Sequence, residues 1–205
     1  RSRVANGLLY LQMTRGVAPR DHFFPVAPRT QVVMWAKTMA PQSARVLEEG
    51  VNVVTTPDIR WGRCDIKSTS LLPNVLAKQA AREAGAYEAW LVDRDGFVTE
   101  GASSNAWIVT RDGELVTRAL DNAILGGVTR GSVIALAQAE GLKLVQRPFR
   151  VAEAQEAREA FLTSASSFVL AVTRIDDRSV ANGRPGGLTT RLRALYDRHA
   201  AAKVD

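Results

Sequence analysis

Apolar and polar residues alternate in short runs along most of the chain, and this pattern predicts more strands than helices. Runs rich in apolar or β-branched residues are typical of strands, and they occupy residues 7–14, 30–36, 50–56, 142–145, 160–163 and 169–175. Two further pairs of runs each enclose an Asp-Gly turn, which is typical of a β-hairpin: residues 88–92 with 97–99, and 105–110 with 115–117.

Helical spacing occurs in four segments, and each is a single insertion between strands. The pattern predicts helices at residues 74–85, 129–140, 151–158 and 188–199. Asn74 and Thr129 stand where helix N-caps are expected, and Gly85 and Gly141 where helices end. Singly inserted helices among hairpins indicate an α+β fold with a largely antiparallel sheet, rather than a doubly wound parallel sheet. A change in composition near residues 41–49 is the best candidate for a domain boundary.

The composition narrows the class of protein. The 205 residues are 46% hydrophobic and 23% charged, as in a globular protein with a buried core. No run approaches the roughly 18 apolar residues of a membrane span, so no membrane partner is expected. The single cysteine, Cys64, excludes a disulfide scaffold and is consistent with a reducing, cytoplasmic setting. With only two histidines, His22 and His199, no metal cluster of His and Cys is expected.

The net charge of +6 suggests either a nucleic-acid partner or a small anionic ligand. The arginines are spread along the chain among acidic residues, with no block of consecutive basic residues. This distribution argues against nucleic acid, because a binding face needs clustered positive charge. The scattered charge therefore favours a site for an anionic small molecule, with the other arginines on the solvated surface.

Three segments that follow predicted strands or precede a helix contain candidate functional residues, and each has two interpretations. Lys67, between Ile66 and a run of Ser and Thr, is either a solvated surface lysine or a partly buried amine that acts as nucleophile or base. Glu100, before small residues, either caps a turn or pairs with a buried cation. The glycines at 126–127 either bind an anion at a helix start or form an ordinary turn.

Two other segments have alternative interpretations. The run of small polar residues at 163–167 suits a phosphate group or a plain loop. Arg20 and His22 project to one side if the segment is extended, which suits a substrate carboxylate. The alternative for this pair is a turn with a salt bridge to Asp21.

Taken in order, four of these segments resemble the fold-type IV pyridoxal-phosphate aminotransferases. They are CDIKSTSLLPNVLAKQAAREAGAYEAW, VTEGASSNAWIV, AILGGVTR and FLTSAS. Within that family, the RGVAPRDHFFP segment resembles the D-amino acid (D-alanine) aminotransferases. The resemblance covers nearly all of the chain and implies pyridoxal 5'-phosphate as the cofactor.

The resemblance assigns a role to each cofactor-binding residue. Lys67 would form the Schiff base with the cofactor and then move a proton between the substrate Cα and the C4′ carbon. Glu100 would face the pyridine nitrogen, keeping it protonated so that the ring accepts electrons. The other expected cofactor residues are Leu125 against the ring, Gly127, Val128 and Thr129 at the phosphate, Ser164 and Ala165 in a second phosphate turn, and Ser103 and Glu88 near the Lys67 amine.

For the substrate, the resemblance implies ping-pong transfer of an amine from a D-amino acid, such as D-alanine, to a 2-oxo acid, such as 2-oxoglutarate. Arg20 and His22 would bind the substrate α-carboxylate, reaching in from the partner subunit of a homodimer. The alternatives within the family are a branched-chain L-amino acid aminotransferase and an aminodeoxychorismate lyase. A truncated, non-catalytic cofactor-binding chain is the alternative from another class.

The sequence departs from the family pattern in two places. Ala165 stands where a Thr is usual, which removes one hydroxyl donor from the second phosphate turn. The resemblance also implies a smaller N-terminal domain, and we expect most of it to lie outside the given sequence, together with a phosphate-binding arginine and a tyrosine of the carboxylate site. We therefore expect residues 1–42 to be the remnant of that small domain and residues 43–205 to form the large, pseudo-barrel cofactor domain.

Overall fold

The computed structural model describes residue 4 and residues 6–202, and these residues form eleven strands and five helices. The strands are β1 (Gly7–Thr14), β2 (Gln31–Thr38), β3 (Val51–Pro57), β4 (Glu88–Val92), β5 (Val98–Gly101), β6 (Asn105–Val109), β7 (Leu115–Thr117), β8 (Leu144–Gln146), β9 (Glu159–Ser164), β10 (Phe168–Ile175) and β11 (Arg178–Ser179). The helices are α1 (Ala44–Glu49), α2 (Leu72–Glu83), α3 (Val128–Ala139), α4 (Val151–Glu156) and α5 (Gly187–Ala201).

The chain divides into two compact units, Arg1–Gln42 and Ser43–Asp205. The first unit is an antiparallel hairpin of β1 and β2, in register from Gly7 opposite Thr38 to Thr14 opposite Gln31. Within it Tyr10 stacks on Trp35, with ring centroids 3.9 Å apart. Many of the large apolar side chains of this hairpin are exposed in the chain by itself, among them Leu9 and Met13.

The second unit contains one nine-stranded mixed sheet in the order β5-β4-β3-β10-β9-β6-β7-β8, with β11 paired to β10. The pairs of β3 with β4, β3 with β10 and β7 with β8 are parallel, and the remaining pairs are antiparallel. Helices are inserted singly between these strands. The predicted α+β class is therefore confirmed, with a larger share of parallel pairing than the hairpin pattern alone indicates.

The two edges of this sheet approach each other. The Val98 amide of β5 donates to the carbonyl of Phe149, three residues beyond the end of β8, at 2.9 Å. Phe97 and Arg150 form an antiparallel bridge at the same place. The sheet therefore curves into a half-barrel, in agreement with the expected barrel-like domain.

Side chains pack against both faces of the sheet, because successive residues of a strand point to opposite sides. On one face, Trp90 and Phe149 meet edge to face at 6.2 Å within the largest apolar cluster. On the other, Trp107 of β6 and Phe161 of β9 stack at 5.3 Å beneath α3 and α5. A smaller cluster, which includes Ala77 of α2, covers the outer side of β3 and β4.

The hairpin predictions are accurate, but two predicted helix starts are wrong. The two Asp-Gly turns form as predicted, with Gly96 and Gly113 at φ +82° and +81°, values that glycine adopts readily. Helix α2 begins at Leu72, so Asn74 does not cap it; the Asn74 amide instead donates to the carbonyl of Ala102 at 2.8 Å. Helix α3 begins at Val128 with Gly127 as its N-cap, so the Thr129 cap is also wrong.

Pattern reasoning also missed one helix. The segment assigned to a boundary near residues 41–49 contains α1, which Ser43 caps by accepting a hydrogen bond from the Val46 amide at 3.3 Å. The helix has six residues and none of them is buried, so it has no apolar stripe for a pattern to detect.

Candidate active site

A buried carboxylate on strand β5, that of Glu100, lies at the centre of the candidate site. Its side chain is 7% exposed and meets the Arg60 guanidinium at 2.5 Å. Arg60 also donates through Nε and Nη2 to the two oxygens of Asp58, at 2.9 and 2.7 Å. One guanidinium thus lies between two carboxylates, and further bonds to Thr99 and to the carbonyl of Ala123 fix its position.

The two carboxylates differ in proton affinity. Burial raises the pKa of Glu100 to about 7, even though the Arg60 charge and the hydrogen bonds from Arg60 and the Leu125 amide act to lower it. Burial also acts to raise the pKa of Asp58, but the hydrogen bonds from Arg60 and Thr99 outweigh it and hold that pKa below its usual range. Glu100 is therefore the member of the pair that exchanges a proton near neutral pH.

The second Glu100 oxygen connects β5 to the loop before α3. It accepts hydrogen bonds from the Asn105 side chain at 2.9 Å and from the Leu125 amide at 3.1 Å. The Asn105 amide also donates to the carbonyl of Leu125 at 2.9 Å. Gly127 approaches this amide so closely that a Cβ at Gly127 would lie 2.2 Å from Asn105 Oδ1. The predicted residues Glu100, Leu125 and Gly127 are thus brought together by Asn105.

The first turn of α3 combines an exposed and a buried face. Val128 is 77% exposed, and no side chain caps the start of the helix, so the first backbone amides have no acceptor within the helix. Thr129 is buried, and its hydroxyl lies 3.4 Å from the Tyr196 hydroxyl of α5. An anion at this turn would therefore meet backbone amides first, in the geometry that favours negative charge.

The next residue of α3, Arg130, is a buried cation. Its Nη2 donates to the carbonyl of Arg118 at 2.7 Å and to Gln146 Oε1 at 2.8 Å. Burial lowers the pKa of Arg130, and its Nε has no hydrogen-bond partner among the described residues. Arg130 anchors the first turn of α3 to the ends of β7 and β8.

Lys67 lies in the loop between β3 and α2 and is exposed. Of the two alternatives for this side chain, the structure has the exposed one, because the apolar neighbours Ile66 and Leu71 are themselves 44% and 50% exposed. Within the described chain, the Lys67 amine forms no hydrogen bond or ion pair. Its loop is nevertheless attached to the candidate site, since the Cys64 amide donates to the carbonyl of Asn122 at 2.8 Å. The lysine is therefore an accessible amine on an anchored loop.

The second predicted phosphate turn lies beside the same end of the sheet. Thr163 of β9 pairs with Asn105 of β6, so Ser164 and Ala165 directly follow that position. The Ser164 hydroxyl accepts a hydrogen bond from the Ser167 amide at 3.0 Å, which closes the turn. Ala165 is exposed and offers only its backbone.

Glu88 and Ser103 form a second buried polar group. The Glu88 side chain is 1% exposed and accepts hydrogen bonds from the hydroxyls of Ser103 and Ser104, at 2.7 and 3.2 Å. Its other oxygen meets the Lys78 amine of α2 at 3.1 Å and the Ala89 amide at 3.0 Å. This carboxylate fixes the turn between β5 and β6, which carries Ser103.

Arg20 and His22 lie in the connection between β1 and β2, in the first unit, and both are exposed. The segment bends at both residues rather than running as a strand. Among the described residues Asp21 forms no salt bridge with either; its side chain accepts a hydrogen bond from the His22 amide at 2.6 Å. The alternative of a salt-bridged turn is therefore wrong.

Sequence reasoning missed four residues of this arrangement: Asp58, Arg60, Asn105 and Arg130. Asp58 and Arg60 stand two residues apart after a predicted strand, which is a signal for paired side chains, although it does not identify Glu100 as the third partner. Asn105 and Arg130 carry no such signal, because their partners come from packing between separate elements.

The fold and this arrangement agree with a family assignment. The protein-family model described as Amino-transferase class IV matches residues 1–175. The chain therefore belongs to this family of aminotransferases. The resemblance stated from the sequence motifs is thereby confirmed. Among the described residues, no helix is long and apolar enough to cross a membrane.

Two individual proteins have sequences similar to this chain. The chain is 40% identical over 198 residues to the D-alanine aminotransferase of Staphylococcus epidermidis, covering 97% of this chain and 70% of that protein. It is 41% identical over 185 residues to the D-alanine aminotransferase of Bacillus licheniformis, covering 90% of this chain and 64% of that protein.

Among solved structures, the T.th. branched-chain amino acid aminotransferase with pyridoxamine 5'-phosphate has a TM-score of 0.78 at 28% identity, covering 92% of this chain and 64% of that one. The branched-chain aminotransferase of Thermoproteus uzoniensis has a TM-score of 0.77 at 26% identity, covering 93% and 64%. The chain thus spans about two thirds of the length of the proteins that it resembles.

Class IV aminotransferases depend on pyridoxal phosphate, so the cofactor expected from the sequence is confirmed. The residues present fit this group. The glycine at the start of α3 leaves its amides accessible to a phosphate, and the buried carboxylate of Glu100 offers an acceptor for a protonated ring nitrogen. Lys67 supplies an accessible amine.

Proposed function

We propose that this protein catalyses the transfer of an amine from a D-amino acid, such as D-alanine, to a 2-oxo acid, such as 2-oxoglutarate. The observation that carries the proposal is the buried Glu100, joined through Asn105 to the Gly127 turn at the start of α3. The two D-alanine aminotransferase relatives, at about 40% identity, support the choice of a D-amino acid.

Bound pyridoxal phosphate supplies an electron sink that stabilises negative charge at the substrate α-carbon. Glu100 would accept a hydrogen bond from the protonated ring nitrogen, and Arg60 would hold the carboxylate in place. Val128 and Thr129 would donate backbone amides to the phosphate, with Ser164 and Ala165 on its other side. Leu125 would contact the ring.

Lys67 would hold the cofactor covalently and then move a proton at the substrate α-carbon. The Lys67 loop is anchored to the loop before α3, which would keep the amine within reach of the same ligand. Glu88 would act by fixing the turn of Ser103, through the hydrogen bond between them.

Arg20 and His22 would bind the substrate α-carboxylate, with the guanidinium offering two parallel hydrogen bonds. We propose that they do so across a homodimer, from the partner subunit, and that the enzyme acts in the cytoplasm. A branched-chain L-amino acid aminotransferase is the second candidate, and it is favoured by the two branched-chain structures of similar fold.

The Lys67 assignment is tested by adding pyridoxal phosphate to the protein and recording the absorbance spectrum. We expect a band near the roughly 400 nm region of a lysine-bound cofactor, lost in Lys67→Ala, because only a primary amine forms that bond. Lys143→Ala is the matched control, since Lys143 is an exposed lysine paired with Glu114 on the surface. An unchanged band in Lys67→Ala would contradict the assignment.

The substrate assignment is tested by comparing D-alanine with L-leucine as the amine donor to 2-oxoglutarate. We expect kcat/KM to be higher for D-alanine by at least about tenfold, the effect of about 1.4 kcal/mol of preferential binding in the transition state. Preference for L-leucine would favour the second candidate. A spectrum with the cofactor band but no transfer with either donor would favour a non-catalytic cofactor-binding protein.

A further inference from the structure

A second concave site lies at the end of the large sheet that is opposite the candidate active site. Strand β6 runs from Asn105, at the active-site end, to Val109, whose carbonyl accepts the Arg158 amide at 2.8 Å. The cavity beside this end measures about 360 Å³, and its lining includes Arg111, Arg158 and Arg178.

The three arginines come from three separate segments. Arg111 follows β6, Arg158 follows α4, and Arg178 begins β11. Arg111 Nε donates to the carbonyl of Glu156 at 3.2 Å, and Arg178 Nη1 donates to Gln155 Oε1 at 3.3 Å. The end of α4 therefore holds two of the guanidinium groups beside the cavity, and each keeps further N–H groups for a ligand.

The charge of this lining is not balanced. Three arginines line the cavity, whereas its lining holds one acidic residue, the exposed Glu156. In the part of the chain that the structure describes, none of the three arginines forms an ion pair. Guanidinium groups that share one cavity repel one another unless an anion lies between them, and each can bind a carboxylate or a phosphate with two parallel hydrogen bonds.

We propose that this cavity binds a small polyanion that carries at least two carboxylate or phosphate groups. The volume is within the roughly 300–1,000 Å³ of small-molecule sites. Three cations from three segments suit a ligand with several anionic groups better than a single carboxylate. The site uses none of the residues assigned to amine transfer, so it does not depend on the proposed function.

The test is calorimetric titration with citrate in one arm and pyrophosphate in the other, at constant ionic strength. Pyridoxal phosphate is present in excess throughout, so that it occupies the phosphate turn at α3 and keeps the two probes from binding there. We expect saturable binding of about one equivalent, weakened about tenfold or more in Arg158→Gln and in Arg178→Gln. Binding of citrate alone would identify a polycarboxylate, and binding of pyrophosphate alone a phosphate compound.

Arg94→Gln is the matched control, because Arg94 is an exposed arginine of the hairpin between β4 and β5. Thermal unfolding of each variant checks that the fold is kept, and Arg158→Lys, which keeps the charge, should restore part of the affinity. The proposal is overturned by the absence of saturable binding with both probes, or by affinities that do not differ between Arg94→Gln and the cavity variants.

Discussion

At the scale of single residues, the candidate site depends on one close approach. The absence of a side chain at Gly127 lets the start of α3 lie against Asn105, which in turn holds Glu100 and the carbonyl of Leu125. Asn105 is buried and makes both hydrogen bonds with the same amide group, so it has little freedom to move aside. The neighbouring Gly126 has only ordinary contacts, the nearest being Leu120 at 3.6 Å.

We therefore expect Gly127→Ala to raise the Kd for pyridoxal phosphate by about tenfold or more, because the added Cβ displaces Asn105 and with it Glu100. Losing the two hydrogen bonds of Asn105 should cost about 1–3 kcal/mol of binding free energy, which corresponds to this change in Kd. Gly126→Ala is the matched control and should change the Kd by less than about twofold. Fluorescence titration with the cofactor measures both, and equal effects of the two substitutions would contradict this role of Gly127.

The motifs predicted Glu100, Gly127 and Thr129 as neighbours of one ligand, and the structure brings the first two together through Asn105. They did not predict Arg60 as the partner of Glu100, because forty positions separate the two residues and only the fold joins them. They also left open whether Lys67 is exposed, since the exposure of a side chain in a loop depends on what the loop packs against.

At the scale of elements, helix α5 is held by a side chain from the sheet. Glu159 of β9 is buried and accepts the Leu188 and Thr189 amides, at 3.0 and 2.8 Å, and the Thr189 hydroxyl at 2.8 Å. The spacing of apolar residues correctly predicts this helix, and Leu192 lies on its buried face. It gave no sign of this cap, because a capping side chain is expected just before a helix rather than on a distant strand.

Two adjacent glycines test this anchor. A Cβ at Gly186 would lie 2.0 Å from Glu159 Cδ, whereas a Cβ at Gly187 would meet no atom within 4 Å. We expect Gly186→Ala to lower the free energy of unfolding by about 1–3 kcal/mol, through displacement of the cap. Gly187→Ala should be neutral or stabilising by less than about 1 kcal/mol. Urea denaturation measures both, and similar stabilities for the two variants would contradict the anchoring role of Glu159.

At the scale of the whole molecule, the sheet joins segments that are far apart in the chain. Strands β3 and β10 pair in parallel, and Asp176, next to the end of β10, accepts hydrogen bonds from the Thr55 amide and hydroxyl. Hairpins were predictable because an Asp-Gly turn is a local signal. The parallel pairs were not, since they depend on which buried faces meet during folding and no short motif encodes that choice.

The buried Glu100 links this packing to pH. Because burial raises its pKa from the ordinary 4.5 to about 7, the folded chain binds more protons than the unfolded chain between these values. The contribution of this group to stability is thus complete below about pH 4.5 and is lost as the pH rises through 7. Asp58, whose pKa is lowered, loses its contribution only at more acidic pH.

We therefore expect the free energy of unfolding, measured in urea without added cofactor, to fall by about 2 kcal/mol between about pH 5 and about pH 8. Glu100→Gln keeps the neutral form at every pH and should remove most of this slope. Glu48→Gln is the matched control, because Glu48 is an exposed carboxylate of α1, and its slope should equal that of the unmodified protein. Equal slopes in all three proteins would show that Glu100 does not take up this proton, and that Arg60 keeps its carboxylate ionised throughout the range.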